Sequence, residues 1–320
     1  MADLIDIADL DCIFLTYNEP KKEEFWLQIQ NMVPWATRVD GVAGSDAAHK
    51  AAADASDTDR FILIDGDNIP YIDFFSLQLE LDETNCDKVF RWKARNHING
   101  LVYGNGGLSC WTKDFVYNMQ THEASDGSDD TAVEFCFDPN YWAMNDCYSD
   151  TYPNATPEQA WRAGFREGVK MCLDRGSKPT LQEFNNRIVS RNFDNLCIWM
   201  SVGADVENGN YAKLGAMLGT YLTMLGDEKN EYGFKNFNYH AVQDFVELGK
   251  FWTRVEQSIG PDMVEGILDG LGGILHRRLG LTINNLSPGA SKFFKSYFNP
   301  SGSRLYGPMV TELEVIRGLV

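Results

Sequence analysis

The sequence predicts an α/β protein: a sheet covered by helices, followed by a mainly helical region. Three observations carry this. Two short apolar runs, Cys12-Ile13-Phe14-Leu15-Thr16-Tyr17 and Phe61-Ile62-Leu63-Ile64, each end in a polar loop, the pattern of strands buried on both faces. Helix-prone stretches separate them. Near residue 155 the chain passes from alternating strands and helices to helices alone, giving an α/β unit over 1–155 and a mainly helical unit over 156–320.

The elements follow in order. The first run is a strand closed by Asn18-Glu19-Pro20. Residues 22–32 place Phe25, Ile29 and Met32 at helical spacing. Residues 38–42 form a short strand, and 49–55 an alanine-rich helix. The next strand runs directly into Asp65-Gly66-Asp67-Asn68. Strand, helix, strand, helix, strand predicts a mostly parallel sheet, with ligands beyond the carboxyl ends of its strands. Both Thr16-Tyr17-Asn18 and Asp65-Gly66-Asp67 lie there. Val89-Phe90-Arg91-Trp92-Lys93 alternates like a later strand. Four glycines between residues 100 and 108 predict a tight turn or a close backbone approach. Helices are predicted over 157–174, opened by Pro157, over 180–191, over 211–225 and over 241–259.

Composition limits the class. The chain has 320 residues, 44% hydrophobic and 23% charged, which are globular values. No long apolar run occurs, so no membrane span is expected. The opening stretch carries aspartates and no basic residue, unlike a signal peptide. Seven cysteines without a CxxC pair predict reduced thiols and a cytoplasmic protein. The formal charge is −18. It falls wholly in the first 230 residues, because acids and bases balance over 231–320, and 121–159 has no Lys or Arg. That opposes broad affinity for phosphate backbones. A nucleic acid would need a local patch, for which Lys88, Arg91, Lys93 and Arg95, then Arg277, Arg278, Lys292, Lys295 and Arg304, are candidates.

Asp65-x-Asp67 at a strand end is the sharpest motif. Two carboxylates at i and i+2 can turn toward one cation, and Gly66 lets the backbone pass closely. Oxygen ligands suit Mg²⁺ or Mn²⁺, ions that also grip a diphosphate and neutralise a departing nucleotide. An EF-hand is excluded, since Ile69 and Pro70 stand where an oxygen ligand and glycine belong. A P-loop, an early dinucleotide fingerprint, His-Glu-x-x-His and G-x-S-x-G are absent. Asp129-Asp130 is a candidate general base or a solvated acidic loop. Asp46 and Lys50 can pair at i, i+4 or touch a nucleotide. His122 and His240 are candidate third metal ligands, His240 being the one preferred. Trp92, Trp111 and Trp142 are candidates for stacking or for the core.

Further stretches carry a resemblance. Phe14-Leu15-Thr16-Tyr17-Asn18-Glu19-Pro20, Val33-Pro34-Trp35-Ala36, Gly44-x-Asp46-Ala47-Ala48-His49-Lys50, Ile64-Asp65-Gly66-Asp67-Asn68, residues 99–108 and residues 201–209 resemble bacteriophage glycosyltransferases of the A-type fold. Some members are associated with DNA modification and are thought to add a sugar to hydroxymethylated bases. The resemblance covers roughly residues 10–255. It implies a Rossmann-like mixed sheet with covering helices, a UDP-sugar donor, Mn²⁺ or Mg²⁺, and 5-hydroxymethylcytosine in DNA as acceptor. Thr16, Tyr17 and Glu19 would contact the nucleotide, and Asp46 and Lys50 would line it. Asp65 and Asp67 would hold the metal and diphosphate. Gly106 and Gly107 would let the sugar approach the backbone, and Asp129 or Asp130 would be the base. Arg91, Trp92, Lys93 and Arg95 would face DNA, the cations on phosphate and the indole under a base. Residues 1–155 then bind the nucleotide sugar and 156–320 face the acceptor. No obligate protein partner is expected.

Three rivals remain at this level. A transferase for a polysaccharide, protein or small molecule shares the donor half. A nucleotidyltransferase is weakened by Asn18-Glu19-Pro20, where a glycine-rich basic loop belongs. A non-catalytic structural protein is weakened by the intact aspartate pair.

Overall fold

The structure, a computed structural model, describes residues 3–124, 134–174, 176–188, 190–226 and 241–298. In chain order the elements are β1 (Asp3–Asp6), β2 (Asp11–Thr16), α1 (Lys22–Met32), β3 (Thr37–Asp40), α2 (Ser45–Asp54), β4 (Arg60–Asp65) and β5 (Asn68–Pro70). β6 (Gln78–Leu81), β7 (Val89–Asn96), β8 (Val102–Thr112), α3 (Lys113–Asn118) and β9 (Tyr141–Thr151) follow. The remainder is helical: α4 (Pro157–Lys170), α5 (Phe184–Arg187), α6 (Ser190–Ser201), α7 (Gly209–Leu225), α8 (Phe245–Ser258), α9 (Val264–Leu279) and α10 (Pro288–Phe298).

The α/β class is observed, but the sheet is mixed rather than mostly parallel. Seven strands run in the order β3-β2-β4-β8-β7-β9-β5, and β1 pairs with β6 separately. β2 is parallel to β3 and β4, and β7 to β9; β8 is antiparallel to β4 and β7, and β5 to β9. The glycine-rich stretch explains the difference. Only Gly100 makes the turn, at φ 76°. Gly104, Gly106 and Gly107 lie inside β8. The Asn96 side chain accepts from the Ile98 amide at 2.9 Å and the Asn99 side chain from Leu101 at 3.1 Å. These local bonds reverse the chain, and a short reversal dictates an antiparallel pair.

The sheet also curls. Only Gly66 and Asp67 separate β4 from β5, yet β8, β7 and β9 stand between them in hydrogen-bond order. The step from Asp65 to Asn68 reaches at most about 11 Å, whereas four strand spacings in a flat sheet come to about 19 Å. The far edge therefore bends back over the end of β4.

Alternation sorts the apolar runs between two layers. Cys12, Phe14, Ile62, Ile64, Phe90 and Trp92 pack with Phe25 and Ile29 of α1 and with Phe74. Ile13, Phe61, Leu63, Val89 and Trp111 pack with Ala52 and Ala53 of α2 and Val116 of α3. A third cluster unites α4 and α6–α10 and takes in Ile98 and Leu101 from the β7–β8 turn. The helix predicted over 180–191 is divided into α5 and the start of α6, with Ile188 extended between them. None of the seven cysteines is paired. No described helix is long and apolar enough to cross a membrane.

α4 and α7 cross at backbone contact. A Cβ on Gly215 would lie 2.0 Å from the Trp161 carbonyl oxygen, and one on Gly164 1.9 Å from that of Ala212. Glycine here trades helix propensity for contact. Gly266 of α9 is exposed, and a Cβ there meets nothing within 4 Å. Gly266→Ala is expected to stabilise the fold by up to ~1 kcal/mol, and Gly215→Ala to destabilise it by about 1–3 kcal/mol. Denaturant titration of the two variants measures these opposite signs.

Candidate functional site

The carboxyl ends of β2 and β4 lie side by side, with Leu15 opposite Asp65. A cleft of about 890 Å³ opens beyond them, walled across by α4 and the start of α8. Thr16, Tyr17, Glu19, Asp65, Asp67 and Arg91 all line it.

A charged lattice outside the cleft fixes the first loop. Thr16 donates its hydroxyl to Asp40 at 2.7 Å and accepts from Arg38 Nε at 3.0 Å. Arg38 grips Glu23 through two bonds of 2.8 Å. Lys22 Nζ donates to the Tyr17 carbonyl at 2.7 Å and to Asp40 at 2.7 Å. The Lys22 ammonium holds the Asp40 carboxyl below the usual carboxylate range. The Thr16 hydroxyl is thus committed to the scaffold. Tyr17 is 48% exposed at the cleft mouth. The Glu19 carboxylate folds back to accept from the Tyr17 amide at 2.8 Å.

Glu19 lies directly over the aspartate loop. A Cβ on Gly66 would sit 2.8 Å from Glu19 Oε2 and 2.9 Å from Thr16 Cγ2, so only glycine passes beneath. Asp65 and Asp67 are half-buried on the cleft floor. Loss of solvent, with the negative charges of Asp67 and Glu19, pushes the Asp65 carboxyl up to about 8. Loss of solvent and Glu19 push Asp67 up to about 6, against a hydrogen bond from Thr151 and the charge of Arg166.

The donor set fits a hard cation. The charge of Glu19 raises both aspartates, that of Asp67 raises Asp65, and the buried Asn68 Oδ1 beside them has no partner among the described residues. Oxygen donors of this kind match Mg²⁺ or Mn²⁺. Among the described residues no three His, Cys, Asp or Glu side chains are arranged to ligate one ion. Gly107 packs against the Asn68 side chain at the floor. A Cβ there would lie 1.8 Å from Asn68 Nδ2 and 3.4 Å from Asp65 Oδ2. β8 passes this close only because it lacks a side chain, which replaces the reading of Gly106 and Gly107 as a loop.

Other sequence candidates fall elsewhere. Asp46 and Lys50 pair with each other at 2.8 Å on α2 and do not line the cleft. The N-terminus of α2 is occupied by Glu123, which accepts from the Ser45 and Asp46 amides at 2.7 and 3.2 Å. His122 does line the cleft, but its ring meets Glu134 at 3.0 Å. Trp92 is 2% exposed, edge-on to Phe74 at 4.8 Å. Its place on the α1 face of the sheet with Phe90 corrects the expectation that it stacks on a base. Arg95 is held by Asp150 through bonds of 2.5 and 2.8 Å, and neither it nor Lys93 lines the cleft. Arg91 does, above the Tyr141 ring at 5.7 Å. Asp129, Asp130 and His240 lie outside the described residues.

α4 supplies the residues that sequence reasoning missed. Thr156 caps it by accepting from the Gln159 amide at 3.1 Å, with Pro157 in the first turn. Trp161, Gly164, Phe165 and Gly168 face the helical core. Arg162, Arg166 and Lys170 recur every fourth residue and face the cleft, a stripe readable from spacing alone. Glu167 accepts from Tyr103 Oη at 2.9 Å and pairs with Lys170. Burial pushes its carboxyl up, but Lys170 and Tyr103 outweigh that and keep it below its ordinary value. Trp199 Nε1 donates to Tyr103 Oη at 3.2 Å.

Comparison of the chain with protein-family profiles, curated proteins and solved structures returns no match.

Two outcomes follow from this geometry. The carboxyls of Asp65 and Asp67 are raised above their ordinary 3.8, so the folded chain holds protons that the unfolded chain has released. Their contribution to stability is full below about pH 4 and is lost as pH rises through 6 and then 8. In EDTA, thermal melts between pH 5 and 8.5 are expected to show a steeper alkaline decline for wild type than for Asp65→Asn. If the pair takes Mn²⁺, the ion is expected to raise the wild-type midpoint more at pH 8 than at pH 5.5, because protons compete with it. Separately, Gly107→Ala must displace Asn68. It is expected to cost about 1–3 kcal/mol in denaturant titration and to weaken the Mn²⁺-induced shift.

Proposed function

We propose that the protein is a metal-dependent glycosyltransferase of the A-type fold that moves a sugar from a UDP-sugar to the hydroxymethyl group of 5-hydroxymethylcytosine in DNA. The observation that carries the transferase reading is the half-buried aspartate pair at the carboxyl end of β4, in a cleft shared with the end of β2. Ligand sites of open α/β sheets lie in that position. Asp65 and Asp67 are the residues that would hold Mn²⁺ or Mg²⁺, with the Asn68 carbonyl adjacent. A bound ion there supplies charge neutralisation for a departing diphosphate.

The chain's own residues support the rest. Tyr17 offers an exposed ring for a nucleotide base at the mouth. Gly66 lets the aspartate loop pass beneath Glu19. Arg91 extends from the sheet into the cleft. Asp129 or Asp130 remains the proposed general base for the acceptor hydroxyl.

The acceptor rests on the resemblance to phage enzymes. A second reading, transfer to a glycan, protein or small molecule, is favoured by the fate of the basic patch. Arg95 is tied to Asp150, Lys88 to Asp87 and Asn140, and Lys295 to Asp205 and the His97 carbonyl. Those cations have local anionic or polar partners already.

A turnover screen separates the readings. The protein and Mn²⁺ are incubated with a panel of nucleotide sugars and duplex DNA containing cytosine or 5-hydroxymethylcytosine, and the digested nucleosides are weighed by mass spectrometry. A sugar mass added only to hydroxymethylcytosine, and lost with Asp65→Asn and Asp67→Asn, is the expected result. Donor hydrolysis without a DNA product moves the acceptor to the second reading. No turnover of any donor overturns the transferase.

A further inference from the structure

We propose that Arg162 is a phosphate-binding residue that holds the diphosphate of the nucleotide donor from the wall opposite Asp65 and Asp67. Its identification with a donor diphosphate rests on the glycosyltransferase reading; the anion site itself rests on geometry.

The cations around the cleft differ in what they already hold. Lys170 is paired with Glu167. Arg166 donates to the Val242 carbonyl at 3.0 Å and to Gln243 Oε1. Arg95 is clamped by Asp150 outside the cleft. Arg162 lines the cleft, half-buried, and among the described residues it has neither a hydrogen-bond acceptor nor a carboxylate within ion-pair distance. Glu158, one turn earlier, acts on it only through its charge.

Arg162 is nevertheless held in place. Its guanidinium lies over the Phe245 ring at 4.5 Å, and Arg166 shares that ring at 4.9 Å. Phe245 is fixed by the cap of α8, where Asp244 accepts from the Val246 and Glu247 amides at 3.0 Å. Contact over a ring face leaves the N–H edge of a guanidinium free. A half-buried cation with no acceptor is an unfavourable arrangement that a bound anion relieves. A planar fork of N–H donors matches two phosphate oxygens.

The position selects the phosphate. Asp67 feels the charge of Arg166, and Arg162 feels those of Asp67 and Glu19. The two walls are therefore within electrostatic reach across one cleft. A diphosphate between them meets the aspartate-held cation on one side and Arg162 on the other.

Calorimetry with Mn²⁺ tests this on wild type, Arg162→Gln and Arg162→Lys, each checked for folding by thermal melts. The probes are UDP, inorganic pyrophosphate, uridine and a duplex oligonucleotide. Arg162→Gln is expected to weaken UDP and pyrophosphate binding by about tenfold to a hundredfold, the effect of losing hydrogen bonds to a charged group. Uridine binding stays unchanged, and Arg162→Lys recovers part of the loss. UDP affinity equal in wild type and Arg162→Gln overturns the proposal, as does an equal loss for uridine. A loss confined to the oligonucleotide overturns it too, by assigning the cation to the acceptor backbone. Pyrophosphate binding that depends on Arg162, in a protein that turns over no nucleotide sugar, supports the anion site and removes the transferase reading. Sugar turnover with UDP binding indifferent to Arg162 does the reverse.

Discussion

Two carboxylates stand on a connection too short to move. Asp65 ends β4, β5 begins at Asn68, and β5 is pinned to β9 on the far edge of the sheet. The backbone that carries the aspartates therefore cannot shift without breaking the curl. They stay on the cleft floor with Glu19 above them, where loss of solvent and the charge of Glu19 raise both carboxyls. A site that keeps like charges together without a counterion gives up stability in the apo state. The surrounding residues limit that cost through bonds from the Thr151 side chain and from the Tyr152 amide to the Asp67 carbonyl at 2.8 Å.

The same constraint accounts for residues that look functional in isolation. Arg95 reads as a DNA contact in the sequence. In the fold it joins Asp150 at the Cα register point where β7 and β9 pair, and Tyr71 donates to the same carboxylate at 2.8 Å. Asp150 adjoins Thr151. The bidentate clamp on Asp150 thus fixes the end of β9 whose next residue steadies Asp67. Arg95 serves the aspartate loop by holding the sheet's edge, and its charge is consumed in doing so. α4 divides its labour similarly. Glycines on one side bring it against α7 at backbone contact, and that closeness sets the arginine stripe on the other side in the cleft wall.

Much of this was legible in the sequence where the signal is local. β2, α1, β4 and the helices opening at Pro157 and near Tyr211 follow from apolar period and caps, and the aspartate pair follows from its place after an apolar strand. What was not legible depends on long-range pairing. The direction of β8 is set by the turn at Gly100, whereas Gly104, Gly106 and Gly107 mimic a loop in sequence, and Gly107 answers in fact to Asn68 and Asp65. Trp92 and Arg91 are neighbours in sequence but enter opposite layers, because strand parity separates them. β9 gave no clean alternation, since its pairing with β7 shifts register around Lys93. The Arg162, Arg166, Lys170 spacing was present all along; only the position of α4 across from β4 gives it meaning.

Charge closes the argument. The chain carries −18, and the cleft floor concentrates part of it at Glu19, Asp65 and Asp67. A phosphate-bearing donor approaching that floor is repelled by Glu19 and ionised Asp67 unless a cation has entered first. In the proposed transferase, metal and nucleotide must therefore bind with strong mutual dependence, each lowering the cost of the other. The same field acts on an acceptor. A DNA duplex brings many phosphates toward a surface where Lys88, Arg95 and Lys295 already have partners, which leaves the exposed Arg277, Arg278 and Lys292 of α9 and α10 to meet it. In the proposed transferase, the base of such an acceptor would enter the cleft, where Tyr17 and Phe245 offer rings.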